Sequence, residues 1–411
     1  MKALIIDPAL HSMGGHHYNA ALGLKIELSK LGVDYACLAS SFADRDVVQG
    51  LEATPSFTRS VYGRTEWTHR AFGESVAETC RQLSRGLRGR SRVPDLLILP
   101  CCDQVLALAL AKYLRRPRFA PAPHIVLWLL YAPHYKKAID DPAVADLYDE
   151  YREAFAALRS AVGDEKIVVY CETAAMARAY REAVGLEIGV MPGPNLIAAG
   201  DAGSERGHGQ PPTVVCIGFA NEAKGYRLLP GAIECVLEAH RDVRFMIHGV
   251  VRGSDAEADT AVFDALSKIG TRVAVSNEVL TQEAFLSWLR QADMVLLPYD
   301  RQVYKTRGSG VFNEARTIGK PVVATRGCDF AQSAFEGGWG VEIVDRSSGG
   351  VARAVLSALD RLPDLAACAR AATVNSVASD LGSILKSAID PLRAGGRSGF
   401  ARFGDHLLHR T

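Results

Sequence analysis

Short runs of β-branched and leucine residues recur along this chain, each separated from the next by a longer amphipathic stretch. Candidate strands fall at 3–6, 34–38, 96–99, 125–130, 167–170 and 188–191 in the first half. In the second half they fall at 213–217, 243–248, 272–275, 294–297 and 322–324. Strands that alternate with helical patterns build βαβ units and parallel sheets covered on both faces. The run Leu96-Leu97-Ile98-Leu99 is wholly apolar, as a central strand of such a sheet requires. The expected fold class is α/β, with Rossmann-like doubly wound sheets.

The pattern breaks once. Met191-Pro192-Gly193-Pro194 is a kinked connector, and residues 199–212 carry Gly200, Gly203, Gly207, Gly209, Pro211 and Pro212. Such a stretch cannot pack and reads as a linker. The expected organisation is a first domain over 1–198, a linker over 199–212 and a second domain over 213–375. A last helix near 376–395 is expected to pack back on the first domain, and 396–411, rich in Gly, Arg and His, to be a flexible tail. Two such domains joined by a hinge face each other across a cleft, and ligands bind at the carboxyl ends of the strands that line it.

Composition removes other classes. At 411 residues the chain is long enough for two cores without disulfides or metal, and a net charge of +1 lacks the cationic excess of a nucleic-acid binder. Its nine cysteines are odd in number and include no C-x-x-C spacing, which fits reduced thiols in a cytoplasmic protein. The longest apolar run, 125–132, is far too short to span a bilayer, and the N-terminus reads as a strand rather than a signal peptide. Peripheral contact with the inner face of a membrane stays open.

The most informative segment is Tyr304-Lys305-Thr306-Arg307-Gly308-Ser309-Gly310-Val311-Phe312-Asn313-Glu314 and its continuation to Gly319-Lys320-Pro321. Ser309 is a good N-cap, and Gly319 with Pro321 a good stop, which predicts a helix over 310–318. Its first amides lack internal partners, and the helix dipole places positive potential there. Gly308 and Gly310 carry no side chain to keep a phosphate away, so the turn can hold an anion. Glu314 lies four residues after Gly310 on the same helix face, within reach of sugar hydroxyls. Lys305 and Arg307 could neutralise diphosphate charge. The plainer alternative is a solvated capping segment. In the strand-Gly218-(loop)-Lys224-Gly225 stretch, a lysine can reach the same place, although most lysines in such loops are only surface charges.

These elements resemble the C-terminal domain of family 4 glycosyltransferases, enzymes of the GT-B fold. The resemblance rests on the strand-Gly218…Lys224-Gly225 start, the strand end Leu296-Leu297-Pro298-Tyr299, and Ser309-Gly310-Val311-Phe312-Asn313-Glu314 followed by Gly319-Lys320-Pro321-Val322-Val323, and spans nearly all of 213–345. It implies that Lys224 is the diphosphate lysine, Glu314 the residue that reads the donor ribose, and Ser309, Gly310 and Val311 the phosphate-binding turn. Tyr304 and Arg307 join the donor set, and Ser276, Asn277 and Val279 frame the nucleobase. Two departures stand out: Thr306 occupies the position of the family's other glutamate, and Phe219-Ala220 the place of its usual arginine. Arg307, Lys305 or Arg252 is expected to supply the missing charge.

In the first half, strand 3–6 leads into Gly14-Gly15-His16-His17 and then a helix to about 31. By the resemblance, Gly14 and Gly15 approach the donor phosphates. His16 or His17 could donate to an anion or an acceptor hydroxyl; the plainer assignment makes one a cap and leaves the other in solvent. Strand 125–130 ends at Tyr131-Ala132-Pro133-His134, and His134 resembles the family histidine near the transferred sugar, with Tyr131 or Lys136 as alternatives in the same loop. Asp103 reads as a helix N-cap. Arg81, Arg85, Arg88, Arg90, Arg92, Lys112, Arg115, Arg116 and Arg118 form a basic stretch interleaved with Leu83, Leu87 and Leu114. It is a solvated face by default and a contact for anionic lipid or an acidic acceptor otherwise.

The expected activity is glycosyl transfer of the hexosyltransferase type. A sugar moves from a nucleoside-diphosphate sugar to a glycan, lipid-linked or small-molecule acceptor, with retention at the anomeric carbon as the resemblance implies. No metal is expected, since cationic residues and helix amides take its place, and no other cofactor. A non-catalytic GT-B scaffold that binds a nucleotide is the alternative that Thr306 and Phe219 motivate. A nucleotide-sugar epimerase is a weaker one, because no carboxylate pair for proton transfer is visible.

Overall fold

The computed structural model describes the chain except for residues 14–15, 61–67, 89–93, 135–142, 195–209, 241, 252–255, 377–380 and 394–411. Gly14, Gly15, Arg90, Arg92, Lys136, Arg252 and the expected tail therefore lie outside the described residues, as does most of the expected linker. Contacts divide the chain into two compact units, one of Met1–Leu196 with Ser379–Thr411 and one of Ile197–Ala378.

The first unit is a seven-stranded parallel sheet in the order β3-β2-β1-β4-β5-β6-β7. Its strands are β1 (Lys2–Ile6), β2 (Asp34–Ser40), β3 (Ala53–Phe57), β4 (Leu96–Leu99), β5 (His124–Leu129), β6 (Ile167–Cys171) and β7 (Gly189–Val190). Side chains alternate between faces, so β1 sends Leu4 and Ile6 into one core layer and Ala3 and Ile5 into the other. The helices Gln104–Leu114 and Ala143–Val162 cover the first face, and the C-terminal helix Leu381–Arg393 packs on the helix His16–Lys30 over the second. Leu83, Leu87 and Leu114 are at most 7% exposed and belong to the first of these layers. This takes the leucines out of the alternative in which they and the arginines together contact lipid or an acidic acceptor: helical spacing turns them inward while Arg81, Arg85 and Arg88 turn out.

The second unit is a six-stranded parallel sheet in the order β10-β9-β8-β11-β12-β13. It comprises β8 (Thr213–Ala220), β9 (Arg244–Val251), β10 (Val273–Ser276), β11 (Met294–Leu297), β12 (Val322–Thr325) and β13 (Gly340–Ile343). Val214 and Cys216 face one layer and Val215 and Ile217 the other.

All eleven expected strands are present, β4 and β11 with the expected ends and the others with shifted ends, while β3 and β13 were not foreseen. Both are edge strands, and each is only half apolar: Ala53-Thr54-Pro55-Ser56-Phe57 buries just its two ends. An edge strand has one exposed flank and no need for a continuous hydrophobic run.

Candidate donor site in the second unit and polar cluster in the first

In each sheet the strand order reverses once, between β8 and β11 in the second unit and between β1 and β4 in the first. Loops leaving the carboxyl ends of strands on either side of such a reversal diverge and open a crevice.

In the second unit, β8 ends at Gly218-Phe219-Ala220 and runs into the 3-10 turn Glu222–Lys224. Asn221 caps that turn by accepting from the Lys224 amide at 3.0 Å. Gly225 closes it at φ +76°, where a side chain would run into the Pro298 carbonyl at the end of β11. The loop is thus seated on the neighbouring strand end, with the Asp300 amide donating to Ala223 O at 2.7 Å. Arg346 fastens both, donating to Glu222 O at 2.7 Å and Pro298 O at 3.0 Å.

This seating aims Lys224 back along β8. Its Nζ would lie 2.9 Å from a Cβ at Gly218, which has φ +135°, and it sits 5.5 Å from the Tyr299 ring and 5.9 Å from the Phe219 ring. Glycine at 218 leaves the ammonium its room. Loss of solvation, reinforced by the Arg307 charge, brings the Lys224 pKa down to about 8.

Across the crevice, the helix Gly310–Thr317 begins at Ser309. The Ser309 hydroxyl accepts from the Phe312 amide at 3.2 Å and its carbonyl from the Asn313 amide at 3.0 Å. The amides of Gly310 and Val311 make no hydrogen bond among the described residues. A Cβ at Gly310 would meet nothing within 4 Å, so the space ahead of the helix is open. Positive helix-end potential and unused donors face that space. One turn on, Glu314 is only 8% exposed, and burial pushes its pKa up to about 8 against the pull of Lys224. A phosphate at the helix start would restore opposite charge to Lys224, and sugar hydroxyls would occupy Glu314.

The remaining donor-set residues distribute as follows. Arg307 lies over the Tyr304 ring at 5.0 Å and is near enough to Lys224 to lower its pKa. Its charge therefore bears on the region where the family arginine is replaced by Phe219-Ala220. Lys305 is exposed, and Thr306 is half-buried. The Tyr304 ring is 6% exposed and packs against Tyr299 and Phe330, so its side chain serves the core and supports Arg307. Ser276 ends β10, and Asn277, Glu278 and Val279 follow on the surface, Val279 being 61% exposed.

His248, which the sequence reading passed over, holds this loop. It is 3% exposed, and its Nε2 lies 2.7 Å from the Glu278 carbonyl. That bond requires the hydrogen on Nε2 and leaves Nδ1 buried without a partner. Burial lowers the His248 pKa, so the ring is neutral. A histidine inside an otherwise apolar strand, β9, beside the strand that leads to the lysine loop, was the signal available.

In the first unit, Asp7 follows β1 and is fully buried. One carboxylate oxygen accepts from the Ala9 amide at 2.9 Å, and the other lies 2.8 Å from His17 Nδ1. The His16 and His17 rings are tilted 37° to each other with centroids 4.1 Å apart. Beyond β4, Asp103 caps the helix Gln104–Leu114 through the Leu106 amide at 2.8 Å and pairs with Arg59 at 2.7 Å. Beyond β5, the loop carrying Tyr131 and His134 is tied down by Tyr180 Oη, which donates to Tyr131 O at 2.8 Å. His16, His17, Tyr131 and His134 all follow strand ends at the carboxyl edge of the first sheet. Among the described residues, no group of three His, Cys, Asp or Glu is placed to hold a metal ion, and no helix is long and apolar enough to cross a membrane.

Known proteins bear on this arrangement. Residues 211–361 match the sequence family described as glycosyl transferases group 1. No curated protein matches. Solved structures share the fold over both units. HepE of Anabaena in complex with UDP and glucose is 15% identical, with a TM-score of 0.61 over 96% of this chain and 99% of that one. A glycosyltransferase from Rickettsia africae is 12% identical, with a TM-score of 0.64 over 96% and 98% of the two chains. Sucrose-phosphate synthase from Thermosynechococcus elongatus is 11% identical, with a TM-score of 0.63 over 96% and 100%. HepE was also solved with UDP-glucose. Fold and family match together define the class, a glycosyltransferase of GT-B architecture. Its second unit is of the glycosyl transferases group 1 kind, and the chain is similar to the family 4 enzymes that its motifs resemble.

Proposed function

We propose that this glycosyltransferase takes a nucleoside-diphosphate sugar as donor and transfers the sugar to an acceptor hydroxyl with retention of anomeric configuration. The observation that carries the reading is the convergence, at one strand-order reversal, of the Lys224 ammonium, the open amides of Gly310 and Val311, and the buried carboxyl of Glu314. The UDP and UDP-glucose in the HepE complexes support the donor class.

In the proposed reaction the bond between the anomeric carbon and the β-phosphate oxygen breaks, and the departing diphosphate carries the electron pair. Lys224, Arg307 and the two amides meet that charge with donors already in place, so no reorganisation is needed as it develops. The acceptor oxygen bonds to the anomeric carbon on the face the diphosphate leaves, and its proton passes to the diphosphate. Glu314 holds the ribose, and Ser276, Asn277 and Val279 the nucleobase. By the resemblance, His16, His17, Tyr131 and His134 are assigned to the acceptor and the transferred sugar, and Gly14 and Gly15 to the donor phosphates. The reaction proceeds without metal, in the cytoplasm or against the inner face of a membrane.

The test is incubation of the protein with UDP-, GDP- and ADP-sugars, followed by analysis of the products. Transfer or slow hydrolysis of one donor supports the reading. Binding of a nucleotide sugar with no turnover under any acceptor contradicts it and leaves a nucleotide-binding scaffold.

A further inference from the structure

Four arginines of the basic stretch converge in the first unit, where Cys80, Arg81, Ser84, Arg85, Arg88 and Arg116 line a cavity of about 330 Å³. The cavity lies where the helices His69–Gly86 and Gln104–Leu114 end. The first helix leads into β4 and the second toward β5, so both ends stand at the amino edge of the sheet. Asp7, His17 and His134 follow strand ends at the opposite, carboxyl edge. The cavity is therefore separate from the polar cluster described above.

Two of its four guanidiniums are held by one carboxylate, and the positive charge is not cancelled. Glu78 pairs with Arg81 at 2.6 Å and with Arg85 at 2.9 Å, and accepts from Gln82 at 2.8 Å. One carboxylate thus orients two guanidiniums while neutralising only one. Arg88 and Arg116 have no ion-pair partner among the described residues, and Arg116 lies over the Tyr113 ring at 4.5 Å. The field reaches Cys80: burial pushes its thiol pKa up, and Lys112, Arg116 and Arg81 oppose the rise. Helix C-termini favour a cation or two by their dipole, but that accounts for charges along a turn, not for four guanidiniums around one cavity. A planar guanidinium presents paired donors that match phosphate oxygens.

We propose that the cavity between Arg81, Arg85, Arg88 and Arg116 is a second ligand site that binds a phosphate-bearing anion. The interleaved leucines are buried in the core, so recognition is by charge and hydrogen bonding without insertion into a bilayer. A free phosphorylated metabolite and an anionic lipid headgroup share that chemistry.

Cys80 lines the cavity and reports on it. The full-length protein is alkylated with a maleimide at low salt, with and without inorganic pyrophosphate, and modification of Cys80 is followed by mass spectrometry. The exposed Cys235 of the second unit is the internal control. Pyrophosphate slows alkylation of Cys80 several-fold and leaves Cys235 unchanged. Arg88→Gln combined with Arg116→Gln abolishes the protection, while Lys224→Ala keeps it, which separates this cavity from the donor site. Phosphatidylglycerol vesicles that also protect Cys80, where phosphatidylcholine vesicles do not, identify a headgroup as a source; protection by pyrophosphate alone identifies a soluble one. Equal Cys80 reactivity with and without pyrophosphate and vesicles overturns the proposal. So does protection that survives the double substitution or disappears in Lys224→Ala.

Discussion

His248 Nε2 donates to the Glu278 carbonyl across 2.7 Å, tying β9 to the loop that follows β10. The bond leaves the ring's other nitrogen buried and without a partner among the described residues, a cost of about 1–3 kcal/mol. What the bond secures is the placement of Asn277 and Val279, the proposed frame for the nucleobase.

His248→Leu removes the strut and the unpaired nitrogen together. The fold survives, KM for the donor rises several-fold, and kcat changes little. Affinities for UDP-, GDP- and ADP-sugars draw closer to one another, because a loosened loop discriminates less between bases. Steady-state kinetics with the preferred donor and one other read both effects.

Lys224 carries its charge only below a pKa of about 8 in the unliganded site. A bound diphosphate favours the charged form, so donor affinity is constant at lower pH and falls as pH rises through 8. Lys224→Ala weakens donor binding roughly ten- to hundredfold, the worth of one charge-assisted hydrogen bond, and flattens that dependence. Calorimetric titrations between pH 6.5 and 9.5 check both statements.

Glu314 is shifted in the opposite direction, and its shift bears on stability. Its pKa is raised from 4.5 to about 8, so the folded protein keeps a proton that the unfolded chain has lost. Stability from this group is present below pH 4.5 and declines as pH rises toward 8. Glu314→Gln, neutral at every pH, gains in melting temperature relative to wild type from pH 5 to 8, while it loses affinity for the donor. A constant difference in melting temperature across that range would contradict the assignment.

Asp7 fixes the ring of His17 through Nδ1. Asp7→Asn keeps the shape of the side chain and removes its charge. Turnover falls while the affinity for the donor nucleotide is unchanged, because the charged groups of the proposed donor grip, Lys224, Arg307 and Glu314, belong to the second unit. Comparing kcat with nucleotide Kd in this variant separates a positioning role from unfolding.

The geometry of the proposed donor turn was legible because it is local. Ser309, Gly310, Glu314 and Gly319 lie within one helix and its caps, so spacing along the sequence reports spacing in the fold. Lys224 was readable for the same reason, as the last residue of a turn closed by Gly225. Tyr304 was set among the donor residues by its position in the motif, yet its ring is committed to an aromatic core that only the packing of Tyr299 and Phe330 reveals. His248 and Asp7 act through partners 30 and 10 residues away, and their pairing depends on strand order, which no local pattern encodes. The arginines were visible as a charge run, but their convergence round a cavity, with the leucines turned inward, needed the packing of two helices.

The most direct test is titration of UDP-, GDP- and ADP-sugars into wild type, Lys224→Ala and Glu314→Ala by calorimetry, with melting curves to confirm that all three are folded. The account predicts that wild type binds at least one donor and that each substitution weakens it roughly ten- to hundredfold. Equal affinity in all three proteins would mean that the diphosphate is gripped somewhere other than the turn at Ser309.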